Sequence, residues 1–249
     1  MIENLHKADS LSGGFESTDI SIRDLRKAYL DAGFPEKAKY YLQEALKLDG
    51  DSSKYYIELG RTEFSLGNYE KVIEFGEKLY PTDSSYILFG ECKMFLGQNE
   101  ESLEYFKLYI EKREAIGGII WWENHYFGYA YCLNGFKKEA EYYFNKQINY
   151  CNSMIELGRI ASTQEFKTYY VLAQVFAFRG EKDKAYENLK IFSQRRFIPY
   201  GLVVEIKNHP LFNSIRDEPE FQQIVREIEA KHQAEHERVR QWLEENEML

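Results

Sequence analysis

Cysteine, proline, positive charge and long apolar runs are all scarce in this chain, and each scarcity removes a class of protein. Three cysteines, Cys92, Cys132 and Cys151, stand far apart with no C-x-x-C pair, which excludes a disulfide framework or a cysteine zinc site and leaves them as small buried hydrophobes. Five prolines in 249 residues leave room for long uninterrupted helices. Lys and Arg number 32 against 41 Asp and Glu, a formal charge of −9, so the basic face needed for sequence-independent binding to a phosphate backbone is missing. No window of eighteen apolar residues exists, and Met-Ile-Glu-Asn-Leu-His-Lys at the start holds no apolar run suited to secretion, so a soluble chain is expected. Glycine-rich phosphate loops are absent too: Gly13-Gly14 and Gly117-Gly118 lack the strand context and the Lys-Ser/Thr such loops use.

What the chain does hold is a repeat. Gly33, Gly67, Gly97, Gly135 and Gly180 are each followed five residues on by Ala38, Val72, Ser102, Ala140 and Ala185, and the glycines are 34, 30, 38 and 45 residues apart. Seven residues before each glycine come Arg26, Gly60, Gly90, Gly128 and Ala173, small in four of five cases, which lets two helices approach closely. Leu25, Leu59, Phe89, Phe127 and Leu172 precede those positions, and Tyr29, Phe64, Met94, Tyr131 and Phe176 follow at helical spacing, giving each first helix an apolar stripe. Leu42, Phe106, Phe144 and Leu189 mark the second helices. Gly76 takes that place in the second unit and, with Pro81, predicts a shortened helix there. The longest interval predicts a second helix extended through about Ile155 and a loop near Gly158 to Thr163.

With Leu59-Gly60, Phe89-Gly90 and Phe127-Gly128 as the strongest local matches, residues 19 to 197 resemble the tetratricopeptide (TPR) superfamily. The resemblance implies an all-α fold, a right-handed TPR superhelix of about five helix-turn-helix units near 19–52, 53–82, 83–118, 121–160 and 166–198. A flexible leader (1–18) would precede it, and capping helices (199–249) ending in a long charged helix would follow. Pro210 and Pro219 suit the first turns of new helices, with Asn208 and Asp217 as nearby caps. Phe221, Ile224, Val225 and Ile228 would dock the last helix on the final repeat.

The segment Pro-Leu-Phe-x-x-Ile-Arg-Asp-x-Pro-x-Phe, starting at Pro210, resembles the element that closes TPR arrays in bacterial multidomain regulators. It implies a regulatory or sensing module, with an output domain outside this chain, that binds a protein or peptide in its concave groove. A cytoplasmic setting is expected, or a periplasmic one if the regulator spans a membrane. The inner wall of such an array is built by the first helices. Its inward positions here are Arg23, Lys27, Lys54, Ile57 and Arg61, then Ile87 and Glu91, then Trp122, His125, Tyr126 and Tyr129, and last Lys167, Tyr170 and Gln174. That groove would be basic early and aromatic late, suited to an acidic peptide carrying an apolar side chain. The alternative is that Trp122 and Tyr126 pack between helices and the cations are solvated. The positions by which one TPR subset grips chaperone tails hold Arg23, Lys27, Glu58, Ser84 and Leu88 here, and Glu58 would repel a carboxylate.

A second reading is self-association through Val239, Trp242 and Leu243, expected to lie exposed on the last helix. His232-Gln233-Ala234-Glu235-His236 matches the H-x-x-E-H pattern of zinc peptidases, but only 13 residues follow it, too few to supply a third ligand and a cleft. The chain is accordingly expected to be no enzyme, with no catalytic residues, no metal and no cofactor.

Overall fold

The computed structural model describes residue 2 and residues 19–50, 52–76, 83–120, 122–159 and 167–249, without the side chains of 19–23, 48–49, 52–54 and 83–84. Among the described residues every regular element is helical. Helices α1 (Asp19–Asp31) and α2 (Pro35–Asp49), α3 (Ser52–Ser65) and α4 (Tyr69–Gly76), α5 (Asp83–Phe95) and α6 (Asn99–Ala115), α7 (Asn124–Leu133) and α8 (Lys137–Glu156), and α9 (Thr168–Phe178) and α10 (Lys182–Ser193) form five successive hairpins. Then come α11 (Tyr200–Asn208), a 3-10 turn (Pro210–Phe212) and α12 (Pro219–Glu245). This is a TPR-like all-α fold.

The repeated glycine ends each first helix in one geometry. Gly135 has φ 86°, a left-handed conformation open to glycine at no steric cost. Its N–H donates to the Cys132 carbonyl at 3.1 Å, and the next N–H, of Phe136, donates to Tyr131 at 2.9 Å. The same bond from the residue after the glycine, back to the carbonyl five before it, recurs at Phe34, Asn68, Gln98 and Glu181. Two otherwise unpaired terminal carbonyls are thereby satisfied and the chain reverses within three residues. The small residues then permit close packing: a Cβ on Gly128 would meet the Phe144 ring at 2.7 Å, and one on Gly90 would overlap Phe106. Ser102, the small residue of the third hairpin, donates from its hydroxyl to the Gly90 carbonyl at 2.8 Å.

Arg26 breaks the small-residue rule and is nonetheless buried. Glu58 of α3 accepts from its guanidinium at 2.6 Å, and the Thr62 hydroxyl lies 3.4 Å from it. Helix α8 runs to Glu156, as the interval pattern predicts; how far α4 continues past Gly76 falls on residues outside the described ones.

The chain forms two compact units. The first holds the two N-terminal hairpins with residues 196–205 and 228–249, and its core joins Leu25, Tyr29, Phe34 and Ala38 to Val239 and Leu243. The second holds the remaining three hairpins with residues 206–227, around Phe106, Phe127, Phe144 and Leu211. Docking on the last repeats thus accounts for only the start of α12, where Phe221 meets Phe212 at 5.3 Å; the rest of that helix belongs to the first unit.

Candidate partner-binding groove

In the second unit α5, α7 and α9 supply the wall on which the aromatic half of the expected groove lies. That half is not open. Tyr126, Tyr129, Tyr170, His125 and Gln174 are all buried, and the chain's own His209 and Phe212 lie against Tyr126 and Tyr170. His209 stacks on Tyr126 with centroids 5.8 Å apart, and meets Phe95 of α5 edge-on at 5.2 Å. Phe212 packs on Tyr170 at 5.7 Å, and Leu211, fully buried, enters the core beside Met94 and Phe106.

Polar contacts fix this segment. The His209 side chain caps the 3-10 turn, its Nδ1 accepting from the Leu211 N–H at 3.2 Å, so the cap is His209 where the sequence suggested Asn208. Arg216 donates to the His209 carbonyl and to Asn213 Oδ1, both at 2.7 Å, and the Ser214 hydroxyl donates to the Ala177 carbonyl of α9 at 2.7 Å. Behind the segment, His125 Nδ1 lies 3.4 Å from Gln147 Oε1 of α8. Burial lowers the His125 pKa to about 3 against the help of Gln147, with the Lys167 charge lowering it further. His209 is also held well below its ordinary value, first by burial and then by His125, Lys167 and Arg216. Both imidazoles are neutral in the folded protein at neutral pH.

Trp122, half-buried, meets Tyr150 of α8 edge-on at 4.9 Å, and Tyr129 meets Phe178 at 5.2 Å. These rings serve packing between helices. The sequence reading missed His209, Leu211, Phe212 and Ser214 as the residues that fill the wall. Their signal was an apolar pair and an imidazole around Pro210, with no helical period of their own.

In the first unit the basic half is corrected as well. Lys27 is exposed but pairs with Asp31 at 2.7 Å, and Arg61 pairs with Glu58 at 2.9 Å, the carboxylate that also holds Arg26. Ile57 is half-buried. The side chains of Arg23 and Lys54 lie outside the described residues. The two described cations of this wall, Lys27 and Arg61, are thus each paired with a carboxylate of their own helix.

The exposed stripe expected for self-association is not exposed. Val239 and Leu243 are buried among Leu25, Tyr29 and Phe34, and Trp242, half-buried, packs on the same cluster. The two histidines of the H-x-x-E-H match turn to backbone: His232 Nδ1 lies 3.2 Å from the Ile198 carbonyl, and His236 Nδ1 lies 2.9 Å from that of Ala32. His236 also stacks on Phe34 at 4.4 Å, while Glu235 accepts from Arg238 at 2.8 and 2.9 Å. Among the described residues no group of three or more His, Cys, Asp or Glu is placed to hold a metal, and no helix is long and apolar enough to cross a membrane. Cys92 and Cys151 are buried and Cys132 is half-buried; burial pushes the Cys151 thiol up to about 11.

No family model matches the chain, and no curated protein matches it. Among solved structures it is similar to the crystal structure of MamA, at 21% identity and a TM-score of 0.42, over 62% of this chain and 89% of that one.

Proposed function

We propose that this chain is a non-enzymatic protein-interaction module, the sensing region of a bacterial transcriptional or signalling regulator working in the cytoplasm. Its recognition surface is the α5, α7 and α9 wall, which receives a short chain segment rich in aromatic and aliphatic side chains. One observation carries this reading. A seven-residue stretch, 209–215, already lies on that wall through ring stacking, one buried leucine and a few directional hydrogen bonds. That is how helical repeats receive a peptide, and here the chain supplies the occupant itself. A partner presenting similar chemistry takes the place of 209–215, and the release of that segment reports occupancy to the output domain.

A reversible lock tests the reading. The Ser214 hydroxyl donates to the Ala177 carbonyl at 2.7 Å, which sets the segment beside α9; an Ala177→Cys/Ser214→Cys chain whose disulfide is verified by mass spectrometry after oxidation tethers the segment to its wall. Capture of a partner from bacterial lysate by the reduced chain, loss on oxidation and recovery with reductant are expected. Equal capture by the oxidised, folded chain overturns the proposal.

A further inference from the structure

The turn between α7 and α8 contains the one asparagine of this sequence that is followed by glycine, Asn134-Gly135. Asparagine is a chemically labile residue. The backbone nitrogen of the residue after it can attack the side-chain amide carbon, and glycine, having no Cβ, shields that nitrogen least. Gly135 is exposed, and a Cβ there would meet no atom within 4 Å.

The fold engages both reacting groups elsewhere. Asn134 closes α7 with φ −92° and ψ 11°, and the Gly135 N–H donates to the Cys132 carbonyl at 3.1 Å. The Asn134 amide nitrogen donates to the Ala130 carbonyl at 2.8 Å, one turn back on its own helix, and to the Asn99 carbonyl of α6 at 3.0 Å. That second bond ties the third hairpin to the fourth. Asn134 also lines an open cleft of about 380 Å³ with Gly97, Asn99, Glu100 and Glu101, so its amide is within reach of water. Closure of the turn, and not exclusion of solvent, is what keeps the pair unreacted.

We propose that Asn134 is a modification site, at which opening of the α7–α8 turn starts conversion of the asparagine to aspartate and isoaspartate and so cuts the tie to Asn99. In the opened turn the Gly135 nitrogen loses its proton to solvent base and bonds to Cγ of Asn134, while the amide nitrogen departs as ammonia. A five-membered succinimide remains. Water then adds to either of its carbonyls and the ring opens, giving aspartate or isoaspartate. A carboxylate has no proton to donate at neutral pH, so the Ala130 and Asn99 carbonyls lose their partner, and the new charge stands in the cleft with Glu100 and Glu101. Isoaspartate also routes the main chain through the side-chain carbon, which lengthens the turn. The reaction involves no residue of 209–215 and is independent of that seat.

The test incubates the full-length chain at mildly alkaline pH, folded or unfolded in urea, and follows residue 134 by mass mapping of its peptides. Folded chains are expected to gain acid at 134 at least about tenfold more slowly than unfolded ones, the factor by which the closed turn outweighs the open one. Within the folded chain, 134 is expected to convert ahead of Asn152 and Asn213, the two asparagines followed by serine. The Asn134→Asp chain, which carries the converted side chain from the start, is expected to unfold at a urea midpoint lower by about 0.5 M or more. Equal rates in folded and unfolded chains, no conversion at 134 in the folded chain, or an unchanged midpoint in Asn134→Asp each overturn the proposal. Should Asn134→Asp fail to fold by circular dichroism, Asn134→Ala, which removes the same donor without adding charge, supplies the midpoint.

Discussion

The His209 imidazole lies stacked on the Tyr126 ring, 19° from parallel, with both side chains buried in the second unit. Stacking and burial of this kind admit only the neutral ring. Because the folded pKa values of His125 and His209 lie below the ordinary 6.5, the unfolded chain binds more protons in that interval, and stability falls as pH is lowered. Each contributes up to about 1.4 kcal/mol per pH unit below about 6.5, continuing for His125 to about 3. His232 of the first unit is shifted the same way. Urea titrations at pH 7.5, 6.5 and 5.5 check this. No loss is expected between the first two beyond the onset of titration, a clear loss is expected at the third, and His209→Gln should flatten the slope by about one proton.

Gly128→Ala sets helix propensity against space. Alanine favours a helix over glycine by about 1 kcal/mol, yet the added Cβ would stand 2.7 Å from the Phe144 ring. Since Phe144 is itself buried in the hairpin core, we expect a net loss of roughly 1–3 kcal/mol, read as a lower urea midpoint.

Glu58 joins two hairpins through Arg26. Removing the carboxylate in Glu58→Ala takes the charge partner from a buried guanidinium and is expected to cost about 3 kcal/mol. The double variant Arg26→Ala/Glu58→Ala should lose less than the sum of the singles, with a coupling of roughly 1–3 kcal/mol in a double-mutant cycle.

Helix α12 carries its two histidines as structural contacts, so zinc is expected to leave thermal unfolding unchanged. His236→Ala should lower stability by about 1–2 kcal/mol, because it removes both the contact to the Ala32 carbonyl and the stack on Phe34. A zinc-dependent rise in the melting temperature of the native chain, lost in His236→Ala, is the contrary result.

Hairpin architecture was legible because it rests on local chemistry. A glycine able to adopt positive φ ends each first helix, and in two hairpins Gly90 and Gly128 make space for a ring of the second, so both leave marks at fixed intervals. The site was legible only in part. Tyr126, Tyr129 and Tyr170 do belong to the first helices, but whether such a ring faces water depends on what arrives from far along the chain. His209 sits 83 positions beyond Tyr126 in sequence, and no period links them. Val239 and Leu243 misled for the same reason: a sparse stripe on a charged helix reads as exposed until its partners, Leu25 and Tyr29, are known. Paired cations such as Arg61 were misread because Glu58 was weighed only as a repulsive charge.

Both units borrow their final pieces from the last part of the chain. As the polypeptide emerges during synthesis, five hairpins can form in order, yet the rings of α7 and α9 stay wet until residues 209–215 arrive, and the α1–α2 hairpin waits longer still for Val239 and Leu243. Nascent chains of this protein therefore pass through a long interval with aromatic surface uncovered, when chaperone protection matters most. A premature stop in α12 ahead of Val239 leaves the first unit without the residues that complete its core.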